Sequence, residues 1–219
     1  KKNFSWSTDF NISFIRNELV SLLDGTDYMQ ARTGFDSNNK NYDYIAIVSQ
    51  PLVNMYGFEY DGVHQYSDFV IDPDGNMTLK EGVVDNTSHV GVAPTPGFVK
   101  YKDQPTIDTD GDGIPDKGDG KITSADRTII GNGYADWYGG MTNTFHFYGF
   151  DLSVVLQFSY GNDVYNVTRF LSTKTKENGL NMRAEVLDRW SPYNASNAVP
   201  AVLGMTDHDI YSRVIEDGS

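Results

Sequence analysis

The chain has 219 residues and a formal net charge of −13 at pH 7, from 30 Asp and Glu against 17 Lys and Arg. Such a surface repels a polyanion and no cluster of Lys or Arg reverses it, so nucleic acid is excluded as a partner, while cations and neutral polar ligands suit it. The absence of cysteine rules out disulfides, a thiolate nucleophile and a Cys-ligated zinc site.

With 14 Tyr, 12 Phe and 21 Gly but only 39% apolar residues, the composition reads as alternating strands joined by polar loops. No run approaches the eighteen or so apolar residues of a transmembrane helix. The chain starts Lys1-Lys2-Asn3-Phe4 without an initiator Met or a signal peptide and stops at Glu216-Asp217-Gly218-Ser219 without a closing strand, so it is expected to be a piece of a longer precursor.

The first predicted element, FSWSTDFNISF over Phe4–Phe14, alternates cleanly. Phe4, Trp6, Phe10, Ile12 and Phe14 share one face, interrupted only by Thr8, and Ser5, Ser7, Asp9, Asn11 and Ser13 share the other. Aromatics at both ends and a polar opposite face are what a barrel strand needs between lipid and water, although a sandwich strand with one wet face reads the same way alone. From Ile15 to Gln50 the pattern is lost, with turn signals at Asp24-Gly25 and Ser37-Asn38-Asn39 and a short strand within Tyr42–Val48. Pro51–Gln65 is rich in aromatics and glycine, and from there to about Pro105 the chain is expected to be mostly loop, with a turn at Asp72-Pro73-Asp74-Gly75.

The chemically sharpest stretch is DTDGDGIPDKGDGKITSAD, residues 108–126. A hard cation such as Ca²⁺ takes six to eight oxygens, and a loop of about twelve residues delivers them from positions 1, 3, 5, 9 and 12 with glycine at 6. Asp108, Asp110, Asp112, Gly113, Asp116 and Asp119 fill those places in order. Asp119, Gly120, Ile122 and Asp126 match the rear half of a second, overlapping frame, so the six aspartates are expected to form one expanded Ca²⁺ loop closed by Asp126. The bland reading is an acidic turn whose carboxylates cap its own backbone.

GGMTNTFHFYGFDLSVVLQFSY, residues 139–160, reads as a hairpin. Met141, Asn143, Phe145 and Phe147 lie on one side of its first strand, and Phe150, Leu152, Val154, Leu156, Phe158 and Tyr160 on one side of its second. Tyr148-Gly149 is the two-residue turn, across which Phe147 and Phe150 face the same way and join the two apolar stripes. Residues 161–219 are expected to be a second long loop. It carries one short helix at Leu180–Trp190, where Leu180, Ala184, Leu187 and Trp190 fall at helical spacing before Ser191-Pro192, and a strand beginning near the end.

No catalytic constellation is present. His64, His89, His146 and His208 stand alone, and neither G-x-S-x-G, a P-loop nor G-x-G-x-x-G occurs. Aromatics in 51–66 and at Trp137-Tyr138 suit stacking on sugar rings, or a core or membrane interface.

Taken together, PLVNMYGFEYDGVHQ, GDGKITSADRTIIGN, YGGMTNTFHFYGFDLSVVLQFSYGNDVYN, MRAEVLDRWSP and RVIEDGS resemble, in order and spacing, the later part of the SusC/RagA family of TonB-linked outer-membrane transporters of Bacteroidetes. The resemblance covers nearly the whole chain and departs at about seven extra residues around Gly113–Asp119. It implies a slice of a plugged β-barrel of about 22 strands, importing oligosaccharides or peptides with a SusD-like surface lipoprotein as lid and TonB pulling on the plug, without an enzymatic step. The fold expected is all-β, part of a large antiparallel transmembrane barrel. Its strands are 4–14, 139–147 and 150–160, with long extracellular loops at 15–138 and 161–219. The rival readings are a secreted, calcium-stabilised β-sandwich that binds carbohydrate and an adhesive surface module.

Overall fold

The computed structural model describes residues 3–33, 42–173, 181–201 and 212–219. The three longest strands are β1 (Phe4–Phe14), β10 (Trp137–Phe147) and β11 (Phe150–Tyr160), eleven residues each. They form one antiparallel sheet in the order β1-β10-β11. Its register runs without a bulge from Phe4 opposite Phe147 to Phe14 opposite Trp137, and from Phe147 opposite Phe150 to Trp137 opposite Tyr160. Tyr148 and Gly149 have φ of 46° and 89°, the left-handed pair that a tight hairpin turn requires. Because side chains alternate, this register sends the apolar set of all three strands to one face.

Beyond the end of the sheet away from that turn, the chain builds a cap. Its ladder continues as the Ile15 amide donates to Asp136 O and the Asp136 amide to Tyr160 O. In the cap, β2 (Tyr28–Ala31), β3 (Tyr44–Ile47), β4 (Asn54–Gly57) and β9 (Thr128–Asn132) make a four-stranded sheet. β5 (Tyr60–Val63) pairs with β8 (Val99–Tyr101), β6 (Phe69–Ile71) with β7 (Met77–Leu79), and β12 (Asp163–Tyr165) with β13 (Ile215–Asp217). Two short helices, α1 (Thr87–Val90) and α2 (Val167–Thr173), complete it. Phe58, Val99, Tyr101, Ile122, Phe170 and Val214 form its buried core, each contributing on the order of 1.5–3 kcal/mol by burial.

The stretches 15–138 and 161–219, expected as long loops, therefore carry strands, helices and a core. Their strands are three to five residues long, too short for period-two alternation to stand out. The helix expected over Leu180–Trp190 is corrected as well. Leu180 lies outside the described residues, and Ala184–Asp188 is a 3₁₀ turn. Within it Leu187 is 82% exposed, while Val186 and Trp190 are the buried pair. The Ser37-Asn38-Asn39 turn lies outside the described residues. The sandwich reading required the apolar strand faces to meet in a core; instead Phe4, Trp6, Phe10, Phe14, Phe147, Phe150 and Leu152 are all exposed.

Candidate functional site

One surface of the β1-β10-β11 sheet is graded along the strands. At the hairpin end Phe4 packs edge-on against Phe147, and Phe147 against Tyr148. At the cap end Trp137 stacks on Tyr160 and meets Phe158 edge-on, and Phe10 stacks on Phe158. Ile12, Met141, Leu152, Val154 and Leu156 lie between. A strand of eleven residues tilted as barrel strands are rises roughly 25 Å, the height of an outer-membrane apolar band with its two aromatic girdles. Phe158 also covers Gly139, where a β-carbon would sit 2.3 Å from Asn11 O and 2.7 Å from the Phe158 ring.

The two polar residues on this face satisfy each other. Thr8 lies opposite Asn143, whose Oδ1 accepts from the Thr8 hydroxyl at 2.7 Å and from Trp6 Nε1 at 3.1 Å. The opposite face is wet: Ser5, Ser7, Asp9, Asn11 and Ser13 on β1, Thr142 and Thr144 on β10, Ser153 and Gln157 on β11, with Val155 the exception at 63% exposed. His146, read from sequence as solitary, hydrogen-bonds through Nδ1 to Asp151, its partner directly across the hairpin. Nearer the cap, Gly140 lies between Asn11 and Gln157, and Tyr138 between Ser13 and Ser159.

The acidic loop is closed by a bridge between Ile107 and Lys117. Of the six aspartates expected to converge, the structure brings three together: carboxylate oxygens of Asp108, Asp110 and Asp112 lie within 4.8 Å of one another, all exposed. Asp108 accepts from the amides of Gly111 at 2.6 Å and Gly113 at 2.8 Å, which hold its carboxyl below the usual range. Asp116 is held on the Thr109 amide and hydroxyl, the hydroxyl bond lowering its pKa most. Asp119 accepts from the Lys121 amide. Asp126, expected to close the loop, is fully buried and accepts from the amides of Gln104 and Thr123, so it belongs to the cap's frame. The donors of the trio are all hard oxygens, the set that a Ca²⁺-class ion takes.

Two further features went unread in the sequence. Glu185 gathers Arg169, Arg183 and Arg213 at 2.8–3.1 Å, and the Arg169 hydrogen bond holds its carboxyl down. No spacing rule announces the pairs with Arg169 and Arg213, 16 and 28 residues away. A cavity of about 630 Å³ lies where the sheet meets the cap, lined by Arg16, Asn17, Asn54, Asn132, Tyr134 and Asp136 among others. Of the histidines, His64 is buried, His89 packs on the Phe58 ring at 4.5 Å, and His208 lies outside the described residues.

No protein-family model matches the chain. It is similar to TonB-dependent receptor P3 of Formosa agariphila, 30% identical over 219 residues, covering 100% of this chain and 19% of that receptor. TonB-dependent receptor P39 of the same organism is 34% identical over 173 residues, 75% of this chain and 16% of the receptor. The chain thus spans about a fifth of the length of the curated relatives it matches. Among solved structures, that of the RagAB peptide transporter shares the fold, with a TM-score of 0.64 at 15% identity over 99% of this chain and 20% of that one.

Proposed function

Since this chain is a SusC/RagA-like segment of a TonB-dependent receptor, we propose that it forms part of the wall and outer cap of an outer-membrane importer driven through TonB, with no enzymatic step. The observation that carries this is the two-faced sheet. One surface of three paired strands is hydrocarbon bounded by aromatics and broken only by the paired Thr8 and Asn143, the other is hydroxyls, amides and carboxylates apart from Val155, and an outer-membrane barrel meets lipid with the first and water with the second. On this reading Tyr148-Gly149 is a periplasmic turn and the cap is extracellular. There a SusD-like surface lipoprotein is its partner as lid, and the cargo is an oligosaccharide or a peptide. TonB acts elsewhere in the receptor.

Tryptophan quenching in liposomes carrying brominated lipids tests the orientation on the intact receptor. Versions keeping only Trp6 or only Trp137 should be strongly quenched by the bromines, and a version keeping only Trp190, buried in the cap, should not. Quenching of Trp6 by aqueous iodide instead would overturn the reading.

The clustering of three carboxylates supports a second assignment: the Asp108–Asp110–Asp112 turn binds a hard divalent cation such as Ca²⁺ and stiffens the cap. A cation there stabilises the fold only in proportion to its occupancy.

A further inference from the structure

Where the other wet-face positions of β10 carry side chains, Gly140 carries none. Its neighbours across the two strand pairings are Asn11 and Gln157, roughly 10 Å apart at two strand spacings. A hollow of about 540 Å³ opens there, lined by the wet-face residues Asn11, Tyr138, Gly140, Gln157 and Ser159 together with Gly139 and Phe158, within the range of about 300–1,000 Å³ usual for small-molecule sites. Tyr138 stands at its upper rim, 48% exposed, flanked across the two pairings by the small side chains of Ser13 and Ser159. Asn11 leans over the hollow with Nδ2 3.7 Å from where a Gly140 β-carbon would be.

The geometry points to a subsite for one neutral sugar ring of the cargo, gripped between the Asn11 and Gln157 carboxamides and stacked on Tyr138. Each carboxamide offers both a donor and an acceptor, which matches a hydroxyl that is also both. The tyrosine offers an apolar face to a ring whose C–H groups line one side. None of the lining side chains is charged at neutral pH, although the chain carries −13 overall, so the termini and charged side chains of a peptide find no counter-charge there. This rests on the proposal that the wet face lines a pore, and it names the cargo class which that proposal leaves as saccharide or peptide.

The test is calorimetric titration of the intact receptor in detergent with neutral hexasaccharides of glucose, xylose, mannose and galactose, and with hexaglycine. At least one hexasaccharide should bind. Tyr138→Ala and Asn11→Ala should each weaken it about tenfold, as loss of a stacked ring or of a paired amide does, and Tyr138→Phe, which keeps the ring, should bind within about twofold of the parent. Binding of hexaglycine alone, of no hexasaccharide, or of a hexasaccharide equally by parent and alanine variants overturns the subsite. Lipid quenching of Trp6 separates the two claims, because it reports the sheet's orientation whether or not sugar binds.

Discussion

Asn143 sits in the middle of a hydrocarbon face, and its Oδ1 is shared by the Thr8 hydroxyl and the Trp6 indole. A single polar residue there would expose unpaired groups to lipid at a cost of several kcal/mol; placed opposite one another, Thr8 and Asn143 settle most of that between them. The break at Thr8 was legible in the sequence, but its remedy was not, because the partner lies 135 residues away. His64 shows the same limit. It is fully buried, Nδ1 lies 3.7 Å from Asp68, and neither ring nitrogen has a hydrogen-bond partner among the described residues. Burial pushes its pKa down to about 4, against the opposing pull of Asp68. Between pH 4 and 6.5 the unfolded chain takes up a proton that the folded one refuses, so stability is full above pH 6.5 and declines as pH falls toward 4, by on the order of 3 kcal/mol. Amide exchange reads this directly: protection of the His64 amide, which donates to Phe98 O at 2.8 Å, should drop over that window after correction for intrinsic rates. His64→Leu should flatten the drop; an identical profile in both would remove the assignment.

Length decided which elements could be read. β1, β10 and β11 announce themselves because nine to eleven alternating residues mark a strand, although β10 starts at Trp137, two residues before the expected 139, and the Tyr148-Gly149 turn is fixed between two phenylalanines that must share a face. Most cap strands hide because three to five residues carry too little period, β3 within Tyr42–Val48 being the exception, and a pairing such as Asp163–Tyr165 with Ile215–Asp217 closes over about fifty residues of chain. The acidic loop was legible by composition and misleading by count. Its motif suggested six ligands, whereas the bridge at Ile107 and Lys117 pinches off a smaller loop and leaves Asp126 to cap the turn at Ser124–Asp126. A cation proposal for this element stands on Asp110 and Asp112 as much as on Asp108. Titration of Ca²⁺ should therefore show one site in the parent and none in Asp110→Ala or Asp112→Ala, and undiminished binding in both variants would sink it.

At the scale of the molecule the chain joins two parts with opposite needs. The cap has a core, with Phe58, Tyr101, Ile122 and Phe170 sealed from solvent, and its fold is supported from within. The sheet has none. Its apolar face holds about ten large side chains at least a third exposed, well beyond the scattered apolar residues a monomer leaves in water. The outer edges of β1 and β11 pair with no other strand among the described residues, and three strands do not close a barrel. Edge and face act together, since an open strand row recruits another strand and the oily surface rewards the stacking that follows. The 219-residue chain made alone should therefore self-associate in plain buffer and disperse in a micelle-forming detergent, with its far-ultraviolet strand signal retained. Sedimentation velocity with and without detergent measures this. A stable monomer in buffer alone, with Trp6 and Trp137 shielded from iodide, would mean that the sheet buries its apolar face within the chain, and the pore-wall assignment would fail for this segment.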